Sequence, residues 1–132
     1  NATLSETIPG RFNANNVDLN RNFDCDWNAK GTWQSREVSG GTGAFSEPES
    51  KAIRAYVDTH DIAGAVVWYS AANGVFASNC HSGVSEDTKA LTKVYADASG
   101  YPAYQEFNFY EITGDMVNWL AKEKIPAIHV ER

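Results

Sequence analysis

The run Ala63-Gly64-Ala65-Val66-Val67-Trp68-Tyr69 is apolar without interruption, the pattern of a strand buried on both faces rather than one alternating between core and water. A strand covered on both sides needs helices packed on its sheet, and the flanking sequence supplies helical patterns. Upstream, Ser46-Glu47-Pro48-Glu49 has capping-box spacing, with Ser46 placed to accept from the Glu49 amide while Glu49 reaches back. The helix behind it sets Ile53, Tyr56, Val57 and His60 on one face. Downstream, a helix starting at Ser85 buries Leu91, Val94, Tyr95 and Ala98 and closes on Gly100, suited to a left-handed cap. A third helix, from about Gly114, turns Val117, Leu120 and Ala121 inward and sets Lys122 and Lys124 near its negative end. Further strands are predicted over residues 17–23, 104–110 and 125–131. The last has Ile128 and Val130 on one face and Ala127, His129 and Glu131 on the other. Residues 1–16, polar around Pro9-Gly10, read as loop, and residues 24–43 as an ordered surface excursion. Strands alternating with helices predict an α/β fold, a three-layer sandwich around a mixed, largely parallel sheet, in a single domain over residues 1–132.

With 132 residues, 42% of them hydrophobic and 12% aromatic, the chain can build one core and no more. Seventeen acidic against eleven basic residues give a net charge of -6, which argues against nucleic acid or an anionic membrane as partner. No apolar run approaches the roughly 20 residues of a spanning helix. The start, Asn1-Ala2-Thr3-Leu4-Ser5-Glu6, has neither the basic nor the apolar region of a signal peptide, so any targeting signal is expected to be missing or removed. Cys25 and Cys80 allow one disulfide and exclude a Cys-x-x-Cys site; a bridge and a pair of unlinked thiols both fit the sequence.

Residues 13–23 embed an adjacent Asn20-Arg21 pair in a strand-like run, where side chains so costly to desolvate need a specific partner. Arginine presents a rigid fork of donors matched to two carboxylate oxygens, and a neighbouring Asn amide adds another. The same pair also suits architecture, with Asn20 satisfying a turn and Arg21 paired to Asp18 or Asp24. The glycine run at residues 40–43 lacks the Gly-Lys-Ser/Thr ending of a phosphate loop.

Val17-Asp18-Leu19-Asn20-Arg21-Asn22-Phe23 resembles the signature of the M14 zinc carboxypeptidases. Ser39-Gly40-Gly41, Phe45-Ser46-Glu47-Pro48-Glu49, Tyr110, Thr113-Gly114, Trp119 and Glu131 fall in that family's order and spacing, so the resemblance runs from about Arg11 to the chain end. It implies removal of C-terminal residues from peptides, with Asn20 and Arg21 clamping the terminal carboxylate and Arg11 stabilising the oxyanion. By the same resemblance Tyr110 covers bound substrate and Glu131 is the general base. Asp115 and Val117 would line the pocket for the terminal side chain, favouring basic and apolar residues respectively. The implied partner is a peptide or protein C-terminus, and the implied setting is secreted or periplasmic, with a Cys25–Cys80 bridge. Each residue also has an ordinary reading. Arg11 would be a solvated loop charge, Tyr110 a half-buried strand aromatic, Glu131 a chain-end charge, and Asp115 an acid at a helix N-terminus.

The family binds zinc through His-x-x-Glu and a distant His. Here His60, His81 and His129 are followed three residues on by Ala63, Val84 and Arg132, so none supplies the pair. Matching Trp68-Tyr69-Ser70 to the family's strand-end His-Ser segment puts Tyr69 where the third zinc ligand would stand, and a phenol is a rare zinc ligand. Zinc is therefore expected in the complete family domain and not in this chain alone, which reads as the C-terminal part of a catalytic domain that is N-terminally incomplete. Two functions follow: a carboxypeptidase domain inactive as this chain, or a metal-free module binding peptide C-termini through Asn20, Arg21 and Arg11. Sheet edges left open would favour self-association.

Overall fold

The side chain of Asn22, fully buried, holds the first part of the chain together. Its Nδ2 donates to the carbonyls of Gly40 (2.7 Å) and Gly43 (3.1 Å) and to Ser46 Oγ (2.9 Å). Its Oδ1 accepts from the Glu47 amide (3.1 Å) and Ser50 Oγ (2.5 Å). A buried amide satisfied on both ends fixes every loop it touches. The computed structural model describes residues 8–70 and 72–132, which form two compact units. The first comprises the described residues up to His60 with Tyr110–Met116, and the second Asp61–Phe109 with Val117–Arg132.

In the first unit, residues 17–23 do not form the expected strand. Asp18 Oδ1 accepts from the Asn20 amide (3.1 Å), and this local bond turns the backbone into a 3-10 turn, Leu19–Arg21, leaving only a bridge between Phe12 and Asp18. The stretch read as irregular contains an antiparallel hairpin, β1 (Lys30–Trp33) and β2 (Arg36–Ser39). Its turn has no Asn-Gly signal; Gln34 itself takes the left-handed conformation, φ 54°.

Helix α1 (Pro48–Thr59) has Pro48 in its first turn, but its cap is Glu47, with no side-chain cap bond, rather than Ser46. Ser46 Oγ instead donates to Glu47 Oε1 (2.8 Å), and Asn13 and Asn15 Nδ2 each donate to Glu47 Oε2 (2.7 Å). The bonds from Asn13, Asn15 and Ser46 hold this carboxyl below the usual carboxylate range. The face expected to be buried is open. Ile53 is 37% and Tyr56 57% exposed, and Ser50 is the buried residue of the helix. Tyr56 stacks on His60 at 3.9 Å, and His60 closes the helix as expected.

In the second unit, helix α2 (Glu86–Ser99) runs from a Ser85 cap, whose side chain accepts from the Thr88 amide, to Gly100 at φ 76°. Its buried stripe is Thr88, Thr92 and Ala96, flanked by Leu91 and Tyr95, so Val94 and Ala98 face outward, contrary to expectation. Thr92 Oγ1 donates to the Thr88 carbonyl (2.7 Å), which lets a hydroxyl take a core position.

The sheet holds β3 (Ala65–Tyr69), β4 (Gly74–Ala77), β5 (Ala103–Tyr104) and β6 (Ala127–Glu131) in the order β3-β6-β4-β5. Pairs β3/β6 and β4/β5 are parallel and β4/β6 antiparallel, a mixed sheet in an α/β fold. β3 is an edge strand rather than a doubly buried one, with Trp68 65% exposed and its Nε1 donating to the Tyr95 hydroxyl (2.9 Å). The buried centre is β6, and the sequence reading did not mark β4 as a strand. The strand expected over 104–110 shrinks to the two residues of β5, because Phe107 and Phe109 pack their rings against Phe76 instead of extending a ladder. One sheet face joins Val75, Ile128 and Val130 to Ala96, with Val66, Leu91, Tyr95 and Tyr101 around them. Helix α3 (Met116–Lys122) begins two residues later than expected and buries Val117, Trp119 and Leu120.

Candidate functional site

In the first unit the candidate residues gather around the turn at Asp18–Arg21. Asp18 is buried, and its Oδ2 accepts from Arg11 Nε at 2.7 Å. The Arg11 guanidinium also lies over the Trp33 ring, 4.4 Å from its centroid. An acid at one edge and an indole face beneath fix the plane of this cation. Among the described residues its two terminal nitrogens have no hydrogen-bond partner, and the side chain is 24% exposed. Arg11 is thus held in a fixed orientation by Asp18 and Trp33.

Arg21 is placed differently. It is 1% exposed, with Nε (2.9 Å) and Nη2 (2.7 Å) donating to the Thr32 carbonyl and Nη1 (2.6 Å) to that of Asn20. These bonds tie the turn to β1. Asn20 Oδ1 accepts from the Met116 amide (3.2 Å), next to buried Asp115. Gly114 holds the 110–116 segment in place: its amide donates to the Cys25 carbonyl (2.7 Å) and its carbonyl accepts from the Phe23 amide (2.9 Å). Tyr110, at the start of this segment, is half-buried, and Thr113 Oγ1 is buried without a hydrogen-bond partner among the described residues.

In the second unit Tyr69, His129 and Glu131 share the sheet face opposite α2. Register pairs Tyr69 and Gly74 with Glu131, and Val67 and Phe76 with His129. The His129 ring contacts Phe76 (4.7 Å), Phe107 (5.5 Å) and Tyr69 (5.7 Å between centroids). Burial pushes its pKa down to about 4, so the imidazole is neutral at physiological pH. Burial raises the Glu131 pKa, opposed by a bond from the Ala72 backbone. Glu131 therefore holds its proton more tightly than an exposed carboxyl does. Val117 is 1% exposed in α3.

Residues 5–131 match the zinc carboxypeptidase family, Peptidase M14. The chain belongs to this family. No curated protein matched the sequence. Among solved structures, the murein-tripeptide amidase MpaA from Escherichia coli O157 superposes with a TM-score of 0.72 at 25% identity, over 90% of this chain and 51% of that one. Thrombin activatable fibrinolysis inhibitor (TM-score 0.66, 23% identity, 87% and 33%) and the carboxypeptidase A of Helicoverpa armigera (0.65, 23%, 87% and 32%) share the fold. The chain spans about half the length of MpaA and about a third of the other two.

Zinc, which the family name implies, does not fit the donors among the described residues. His60 Nδ1 bonds its own helix terminus through the Tyr56 carbonyl (2.8 Å). Cys25 and Cys80 are both disulfide-bonded and offer no thiolate. His129 faces a single carboxylate. The sequence reading offered Asp18 as a partner of Arg21, whereas it holds Arg11, and gave Trp33 no role. Asp18 sits in the signature itself, whereas Trp33 lies on a hairpin that gives no sequence signal.

Proposed function

We propose that this chain is the carboxylate-recognising and base-bearing part of a zinc carboxypeptidase domain, whose complete form removes C-terminal residues from peptides. The observation that supports it best is Arg11, clamped by Asp18 and Trp33, with outer nitrogens that have no partner among the described residues. In this reading Arg11 meets the anionic end of the substrate, Asn20 and the fully engaged Arg21 hold the turn whose Asp18 orients Arg11, Tyr110 covers the bound end, and Glu131 takes a proton from water. Asp115 and Val117 select basic and apolar terminal side chains. The disulfide supports an oxidising, secreted or periplasmic setting. No helix of the described residues is long and apolar enough to cross a membrane.

The binding half of the reading is tested by calorimetry with peptides ending in Phe, Lys or Glu, each as free acid and as amide. Free acids ending in Phe or Lys are expected to bind and amides not to, and Arg11→Ala is expected to weaken the free acids by roughly tenfold or more, the worth of a charge-assisted bond. Equal binding of acid and amide, or a preference for Glu, refutes it.

The chain alone is read as inactive for want of zinc ligands. Metal analysis after dialysis against zinc is expected to find less than stoichiometric metal, with no peptide turnover. Tight one-to-one zinc with turnover that Glu131→Gln abolishes would reverse this conclusion. A second reading, a metal-free module that binds peptide C-termini, draws on Tyr69 at the family's histidine position. It differs in that adding zinc and the remainder of a family domain would restore no turnover.

A further inference from the structure

His129 Nε2 is one of three buried side-chain polar atoms without a hydrogen-bond partner among the described residues. A buried nitrogen left unpaired costs about 1–3 kcal/mol, so its retention calls for a use. The nearest group of suitable chemistry is Glu131, whose Oε1 lies 3.9 Å from Nε2. The two residues stand two positions apart on β6, hence on the same sheet face.

The surroundings leave the imidazole little else to bond. β3 presents Tyr69 and β4 presents Phe76 to its ring, and Phe107 closes against it beyond β5. Tyr104, from β5, stacks on Phe76 at 4.8 Å. The groups that titrate or carry charge near His129 in this unit are therefore Glu131 on its own strand and the phenols of Tyr69 and Tyr104. Gly74, paired with Glu131, matters as well. A Cβ there would stand 2.9 Å from Tyr104 Cδ2 and 3.1 Å from Phe76 Cε2, so the missing side chain leaves room for both rings beside the carboxylate.

We propose that His129 is the positioning residue of Glu131: its Nε2–H donates to the carboxylate once the side chains close the gap by about 1 Å to hydrogen-bond distance. The bond favours the ionised carboxylate and so opposes the burial that pushes Glu131 toward its neutral acid. Burial keeps the imidazole itself neutral, so it acts as a dipolar donor and not as a cation. A base that must be ionised near neutral pH on an apolar sheet face is thereby kept ready. The functional meaning rests on the reading of Glu131 as the base; the contact itself does not.

The test is an NMR titration of the chain without peptide or metal. In the unaltered protein the nitrogen shifts should identify the Nε2–H tautomer of His129. His129→Phe should raise the Glu131 midpoint by about one pH unit, the scale of one hydrogen bond to a carboxylate. His129→Gln, which restores an N–H donor of similar reach, should return it most of the way. A packing role alone would be met by Phe and not by Gln. An Nδ1–H tautomer in the unaltered chain overturns the proposal even if neither variant folds, and so does a Glu131 midpoint indifferent to residue 129. Failure of the peptide assays with this coupling intact would defeat the carboxypeptidase reading alone, and the reverse outcome would defeat this one alone.

Discussion

Arg21→Ala is expected to lower the unfolding free energy by about 3–5 kcal/mol, because truncation leaves a large cavity and strips partly buried carbonyls of their donors. The Thr32 carbonyl loses two bonds and that of Asn20 one, at a side chain 1% exposed. Urea unfolding followed by tryptophan fluorescence measures it. A loss below about 1 kcal/mol would mean that these bonds are replaced by water and that Arg21 holds little of the unit together. Arg21→Lys is the informative companion. It keeps a cation but not the fork that bridges two carbonyls, so it should recover only a minor part of the stability. A peptide-binding defect in Arg21→Ala must therefore be read against the stability loss, whereas Arg11, 24% exposed in its side chain, can be changed with the fold preserved.

Gly114→Ala should cost about 3 kcal/mol. The residue sits at φ 68°, where an alanine is strained by about 1–2 kcal/mol. The new Cβ would also meet main-chain atoms: the Arg21 carbonyl oxygen, the Arg21 carbonyl carbon at 2.8 Å and the Phe23 oxygen at 3.2 Å. Backbone held by two flanking hydrogen bonds yields less readily than a side chain tip. Because both substitutions act on the Arg21 turn, the double variant should lose less than the sum of the singles. Additive losses would place the two residues in independent parts of the unit.

How far the sequence could be read depended on the range of the interaction concerned. The Ser85 and Gly100 ends of α2 and the two faces of β6 follow from local capping and from the two-residue period of a strand, and the structure has them. The alternation of strands and helices was enough for an α/β fold with a mixed sheet. The turn at Asp18–Arg21 was misread as a strand because its apolar residues suggest alternation, while the Asp18 side chain competes for the Asn20 amide. The capping box moved by one residue because Asn22, 25 positions upstream, takes the Glu47 amide. Burial of β3 and of the α1 face was inferred from hydrophobicity alone, which cannot tell an edge from a centre. At the site, the residue types came from the family signature, but the holding of Arg11 by Trp33 depends on a hairpin that no local pattern announces. The opposite surroundings of Arg11 and Arg21 could not be read from two arginines in one motif.

The bonds made by Asn22 have a bearing on the order in which the first unit assembles. They join residues 18 to 28 positions apart, whereas the bond from the Met116 amide to Asn20 closes a separation of 96. Loop-closure entropy grows with the logarithm of length, so the longer closure costs about 1 kcal/mol more than the longest made by Asn22. The Asn22 hub repays its closure with several bonds formed together around one buried amide. Segment 110–116 returns from far along the chain and is held by the Asn20 bond and the two bonds of Gly114. Docking of segment 110–116 is therefore expected to follow formation of the Asn22 hub. The residue assigned to cover a substrate thus rides on the segment of this unit that returns from farthest along the chain.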